Sequence, residues 1–143
     1  MKTTGYSIAI AYQQTHLVHA DPVQLVVLLY DGALARIAEA GQRLQEGDRL
    51  QAELAVTKAQ AIVNELRNSL NREEGGEIAE NLHSLYLYIH DRLVAFLLNH
   101  KPERLTEVSA LLEELRAAWT EIARQYKEQA GNARALDGVA AKA

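Results

Sequence analysis

The chain has 143 residues, 48% of them hydrophobic, enough for one domain with a substantial core. Nineteen Asp and Glu against fifteen Lys and Arg give a formal charge of −4. The signs are mixed along the chain, so no basic tract argues for a nucleic-acid partner or an anionic membrane surface. Cysteine is absent, which excludes disulfides, thiolate metal sites and thiol nucleophiles and permits the cytosol.

Residues 1–20 precede the first helix signal and carry Tyr6, Ile8, Ile10 and Tyr12. They are expected to form a mobile N-terminal arm, docking as a lid on something apolar. The apolar run at 8–12 is too short for a signal-peptide core, and the longest runs, 25–30 and 93–98, fall far below a membrane span. A cytoplasmic protein without membrane insertion is expected.

The first helix is predicted from Asp21 as N-cap with Pro22 at the first helical position, Gln24 standing where a capping-box partner would reach back. Val23, Val27, Tyr30, Leu34, Ile37 and Leu44 recur every three or four residues and mark its core stripe, which ends near Gly47. Gly32 inside that helix costs roughly 1 kcal/mol relative to Ala and is expected to allow a close helix approach. Asp48 caps a second helix with Ala55, Ala59, Ile62, Leu66 and Leu70 along one side. Gly75 and Gly76 are expected to form the next turn.

The third helix follows with Glu77 in its first turn and a stripe of Ile78, Leu82, Leu85, Ile89, Leu93 and Phe96. Asn99, His100 and Lys101 form a short break, and Pro102 starts a fourth helix. Its stripe, Leu105, Val108, Leu112, Leu115, Trp119, Ile122 and Tyr126, alternates steps of three and four throughout. Four helices of roughly 24 residues, each about 36 Å long and joined by short loops, return antiparallel to their predecessors. The expected fold is all-α, an up-down-up-down four-helix bundle over 21–128, with 129–143 as a small-residue tail without fixed structure.

Two stretches exceed what such a core needs. VQLVVLLYDGAL, residues 23–34, and LYLYI, residues 85–89, pass round every side of a helix at about 100° per residue. Leu25 and Leu28 in the first, and Tyr86, Leu87 and Tyr88 in the second, are left facing away from the core. The arm, the tail, a homodimer or an apolar partner segment laid in a groove would cover them.

Catalytic signals are sparse: there is no phosphate-binding glycine loop, nucleophile elbow or HExxH. Glu80 and His83 have the i, i+3 spacing of a di-iron bundle ligand pair, but only one copy exists. His83 and His90 share a helix face, as a phosphotransfer histidine would require, without the Lys-Gly pair that usually follows it; His16 and His19 could clip a metal from the arm. A metal-binding or histidine phosphotransfer bundle is the alternative class. The leading expectation is a non-enzyme without catalytic residues, metal or cofactor.

The string AYQQTHLVHADPVQLVVLLYDGALARIAEA resembles the opening of the FliS family of flagellin-specific export chaperones. KAQAIVNELRNSLNREEGGEIAENLHSLYLYI is similar to that family's second helix, Gly-Gly turn and third helix, and LTEVSALLEELRAAWTEI to its fourth. The resemblance runs from about Tyr12 to Trp119, with one departure at Leu87, where the family often has a polar or acidic residue. It implies a cytosolic chaperone that holds the disordered C-terminal segment of flagellin, blocks premature filament growth and presents its cargo to components of the flagellar type III export gate. By the same resemblance the flagellin-binding residues are Tyr30 and Asp31, Asn64 and Leu66, and Ile78, Asn81, Leu85 and Tyr86. Tyr6, Ile8, Ile10 and Tyr12 are assigned to the arm.

Overall fold

The structure, a computed structural model, describes residues 21–142, with side chains described to 132. Four helices follow one another: α1 (Pro22–Gln45), α2 (Arg49–Asn68), α3 (Arg72–Asn99) and α4 (Pro102–Lys142). Each packs on its neighbours in a ring, α1 and α3 both lying against α2 and α4, so α1 and α3 face one another across the bundle diagonal. This is the expected all-α four-helix bundle.

Local chemistry fixes most of the ends. Asp21 Oδ1 accepts hydrogen bonds from the N–H groups of Val23 and Gln24 at 3.0 and 3.1 Å, and Asp48 Oδ1 from Gln51 at 3.1 Å, so two orphan helix N-termini are satisfied as the sequence predicts. Gly47 takes φ 79° after α1 and closes the tight turn into Asp48. α3 ends at His100, whose left-handed φ of 57° lets its N–H reach the Phe96 carbonyl at 2.7 Å.

The expected break at Gly75 and Gly76 is present: Gly76, at φ 56° and ψ −135°, is non-helical and kinks the chain into the rest of α3, while a short helical stretch already begins ahead of it at Arg72, capped by Asn71 Oδ1. A Cβ on Gly75 would stand 2.6 Å from the Ala79 side chain, so the close approach at the kink requires glycine. α4 continues as helix to Lys142, past the expected boundary at 128. Alanine is the strongest helix former, and Gly131 and Gly138 each cost only about 1 kcal/mol against it.

The core runs the length of the bundle, and its largest wholly buried side chains are Trp119, Tyr30, Tyr86, Phe96 and Leu66. The α1 stripe also includes Val26, Ala33 and Ala40, and α2 contributes Ala52, Val56 and Val63, while Leu34, Leu44 and Ile62 sit at the core's edge. In α3 the buried series is Leu82, Tyr86, Ile89, Leu93 and Phe96, so Tyr86 takes the core position expected for Leu85. The steps from 82 to 96 keep one face, and Leu85 stands about 60° to its side.

Candidate functional site

The eight residues assigned to cargo binding are not gathered in one pocket. Tyr30, Leu66 and Tyr86 are wholly buried in the core, as the core stripes predict for Tyr30 and Leu66 and against the outward-facing position expected for Tyr86. Asp31 is on the face of α1 towards α4, where the Arg116 guanidinium donates to it. Asn64 stands on the face of α2 towards α3, opposite Ile62, which meets Gly32 of α1. Ile78, Asn81 and Leu85 share the face of α3 towards α4, because they fall in a three-and-four series with Tyr88, whose hydroxyl donates to Glu107 of α4. Ile78 and Leu85 are half-buried and Asn81 is exposed. The arm residues Tyr6, Ile8, Ile10 and Tyr12 lie outside the described residues.

Beneath these faces the two buried tyrosines join opposite corners of the bundle. The hydroxyls of Tyr30 and Tyr86 are 2.6 Å apart, and their ring centres are 6.5 Å apart. Burial pushes the Tyr30 hydroxyl well above its ordinary pKa, with the charge and hydrogen bond of Tyr86 adding to the rise and a hydrogen bond from Trp119 opposing it. The phenols therefore stay neutral and satisfy one another, which a dry core demands of any buried polar pair.

The seams around α3 differ from those around α1. On its α2 side, Asn64 Oδ1, Arg67 Nε and His90 Nδ1 are buried without a hydrogen-bond partner; Arg92 Nε and Arg104 Nε share that condition on its α4 side. At the loop end, His100 Nε2 lies 2.5 Å from Glu53 Oε2 of α2. Between α1 and α4 a shallow trough lined by Ile37, Ala38, Gly41, Leu105, Ser109 and Glu113, among others, encloses about 380 Å³. Along the same seam a second hollow of about 320 Å³ is flanked by Asp31 and Arg116.

Apolar surface is left over where the sequence placed the excess: Leu28 is 52% exposed and Tyr88 42%. Leu50, Leu54, Val94 and Leu98 are exposed too, a set that the stripes do not reveal because each lies on the outer face of its helix. Leu25 and Leu87 are half-buried.

The metal and phosphotransfer alternative finds little support in this geometry. Both Glu80 oxygens are held by Arg72, at 2.5 and 2.7 Å, and that hydrogen bonding holds the Glu80 carboxyl below its usual range. Among the described residues no group of three or more His, Cys, Asp or Glu is placed to hold a metal ion. His16 and His19 lie outside the described residues. No helix among the described residues is long and apolar enough to cross a membrane.

The profile of the family described as "Flagellar protein FliS" matches residues 6–126, nearly the whole bundle and the segment before it. The chain belongs to the FliS family. Its relatives include the flagellar secretion chaperone FliS of Salmonella typhimurium, 36% identical over 110 residues that cover 76% of this chain and 82% of the relative. The flagellar secretion chaperone FliSB of Pseudomonas aeruginosa is 38% identical over 100 residues, covering 70% and 79%. FliS of Bacillus subtilis, carrying the same description, is 32% identical over 123 residues, 85% of this chain and 91% of the relative. The FliS match begins at Tyr6, so it spans Tyr6, Ile8, Ile10 and Tyr12 as well as most of the bundle.

Proposed function

We propose that this chain is a flagellar export chaperone whose cargo is the C-terminal segment of flagellin. The observation that carries the reading is the FliS match over residues 6–126, supported by relatives named as flagellar secretion chaperones. A disordered segment loses entropy on binding, so it needs a long apolar track with polar anchors rather than one deep pocket. The surface of the bundle has that character: Ile78 and Leu85 edge one seam, Asn81 lies exposed beside them, and Asn64 and Asp31 mark two others. Tyr30, Leu66 and Tyr86 act from beneath, fixing the shape of the helices on which the segment lies. Tyr6, Ile8, Ile10 and Tyr12 serve as a lid that leaves when cargo arrives.

In this reading the chaperone works in the cytoplasm as a non-enzyme, keeps flagellin from polymerising and hands it to the export gate. Without cargo, the exposed apolar residues are covered by the arm or by a second copy. Calorimetric titration with a peptide of flagellin's last forty or so residues, a length matched to helices of about 36 Å, is expected to give a 1:1 complex with a large negative heat-capacity change. Absence of binding at high micromolar peptide would refute the cargo assignment.

A further inference from the structure

One side of α2 turns into the core through Ala52, Val56, Ala59 and Val63. Its opposite side is apolar as well. Leu50 is 64% exposed and Leu54 45%, and the exposed Thr57 and Ala61 continue the row. Thr57 Oγ1 donates to the Glu53 carbonyl of its own helix at 2.9 Å, so the hydroxyl is satisfied and the methyl group is left for a neighbour. None of the residues given to the cargo lies on this row.

The spacing of the row names the neighbour it fits. Residues 50, 54, 57 and 61 alternate steps of four and three, the pattern of a seam between two helices, over a length of about 17 Å. The charges on either side of the row set the direction of the second helix. Glu53 stands on the flank towards α3, where its Oε2 lies 2.5 Å from His100 Nε2; it is only half-buried and has a second carboxylate oxygen to offer. Lys58, exposed and without a carboxylate partner among the described residues, stands on the other flank. In a parallel pair of identical helices, a flanking residue of one copy meets the residue five positions later on the other, which is the Glu53 to Lys58 spacing. An antiparallel pair would bring like flanks together and lose that match.

We propose that the outer face of α2 pairs with the same face of a second copy of this chain, the two helices running parallel about a two-fold axis along the bundle. Leu50, Leu54, Thr57 and Ala61 each meet their counterpart. Glu53 of one copy meets Lys58 of the other, and the symmetry makes that contact twice. The row spans only about three turns, so association is weak and depends on concentration. This pairing gives the second copy of the preceding reading a stated face, and it uses nothing of the cargo assignment.

The test is sedimentation of the full-length chain without any flagellin peptide, which is expected to show a monomer–dimer equilibrium at high micromolar concentration. Leu54→Glu, at an exposed site outside the core, should weaken the dimer by about tenfold or more because it places a charge in the seam. Lys58→Glu and Glu53→Lys should each weaken self-association. An equal mixture of those two variants should restore it, since each mixed dimer regains both opposite-charge contacts. The chain has no cysteine, so Ala61→Cys carries a single thiol, which should form a disulfide with its own counterpart on mild oxidation. A chain that stays monomeric, its row covered by residues 1–20 or left bare, would overturn the proposal. So would a dimer indifferent to Leu54→Glu, a mixture that associates no better than either variant alone, or an Ala61→Cys chain that does not cross-link. Because no peptide enters the experiment, its failure leaves the cargo assignment standing, and failed peptide binding leaves this pairing standing.

Discussion

Helices α1 and α3 occupy opposite corners of the bundle and meet the same two neighbours, yet they are joined to them by different chemistry. Between α1 and α2 the contacts are small and apolar. Ala33 and Ala40 are wholly buried in α1, Ala52 and Ala59 in α2, and a Cβ on Gly32 would come within 3.3 Å of the Ile62 side chain. Around α3 the seams hold Asn64, Arg67 and His90 on one side and Arg92 and Arg104 on the other, each with a buried polar atom lacking a partner. Small apolar residues let helices close up and stay dry, whereas unpaired polar atoms weaken the seam that buries them. The difference predicts that α1 is the more firmly held of the two helices and α3 the easier to loosen.

The largest effect should come from hollowing the tight side. Ile37→Ala removes a buried α1 side chain and is expected to destabilise the fold by about 2–5 kcal/mol in chemical denaturation. Next comes the link between the two corners: Tyr30→Phe strands the groups that the Tyr30 hydroxyl satisfies and should cost about 1–3 kcal/mol. The same residue predicts a pH dependence. Its hydroxyl is raised above the ordinary 10.0 in the folded state, so its contribution is complete below about pH 10 and is lost as pH rises towards the folded value. Alkaline titration of stability should therefore be shallower in Tyr30→Phe than in the parent chain.

A matched pair of substitutions sharpens the contrast between seams. Ala59→Leu, in the tight seam, should destabilise by about 1–3 kcal/mol through overpacking. Asn64→Leu removes an unpaired acceptor from the looser one and should be neutral or stabilising by up to about 1 kcal/mol. If both cost the same, the seams do not differ as described. The smallest effect is expected from Asp31→Asn: its pair with Arg116 is about two-fifths exposed on each side, and the thermal midpoint should move by no more than about 2 °C.

Much of this architecture is legible in the amino-acid sequence. Asp21, Pro22 and Asp48 announce helix starts through chemistry that works within one turn, and the α4 stripe from Leu105 to Trp119 emerges as a core seam because its spacing admits no other face. The small core residues are harder to read. Ala33, Ala40 and Ala52 carry little hydrophobic signal of their own, and they are buried because neighbouring helices come close enough to cover them. Tyr86 reads as outward-facing because a tyrosine tolerates water; its burial depends on a second tyrosine 56 residues away that satisfies its hydroxyl, which helix periodicity does not encode. The unpaired Arg92 and Arg104 escape notice for a related reason, since a sequence does not say which carboxylates the fold brings within reach of an arginine. The reach of α4 beyond 128 depends on alanine propensity outweighing two glycines, a balance of about 1 kcal/mol that composition alone does not decide.

Native-state hydrogen exchange, with and without the C-terminal flagellin peptide, tests the central claim most directly. Free protein should show α1 exchanging only through global unfolding, while α3 from Glu77 onward opens at lower free energy, and peptide should add protection to α3 and leave α1 unchanged. Equal protection of α1 and α3 in the free protein, or a gain confined to α1 on binding, would contradict the account.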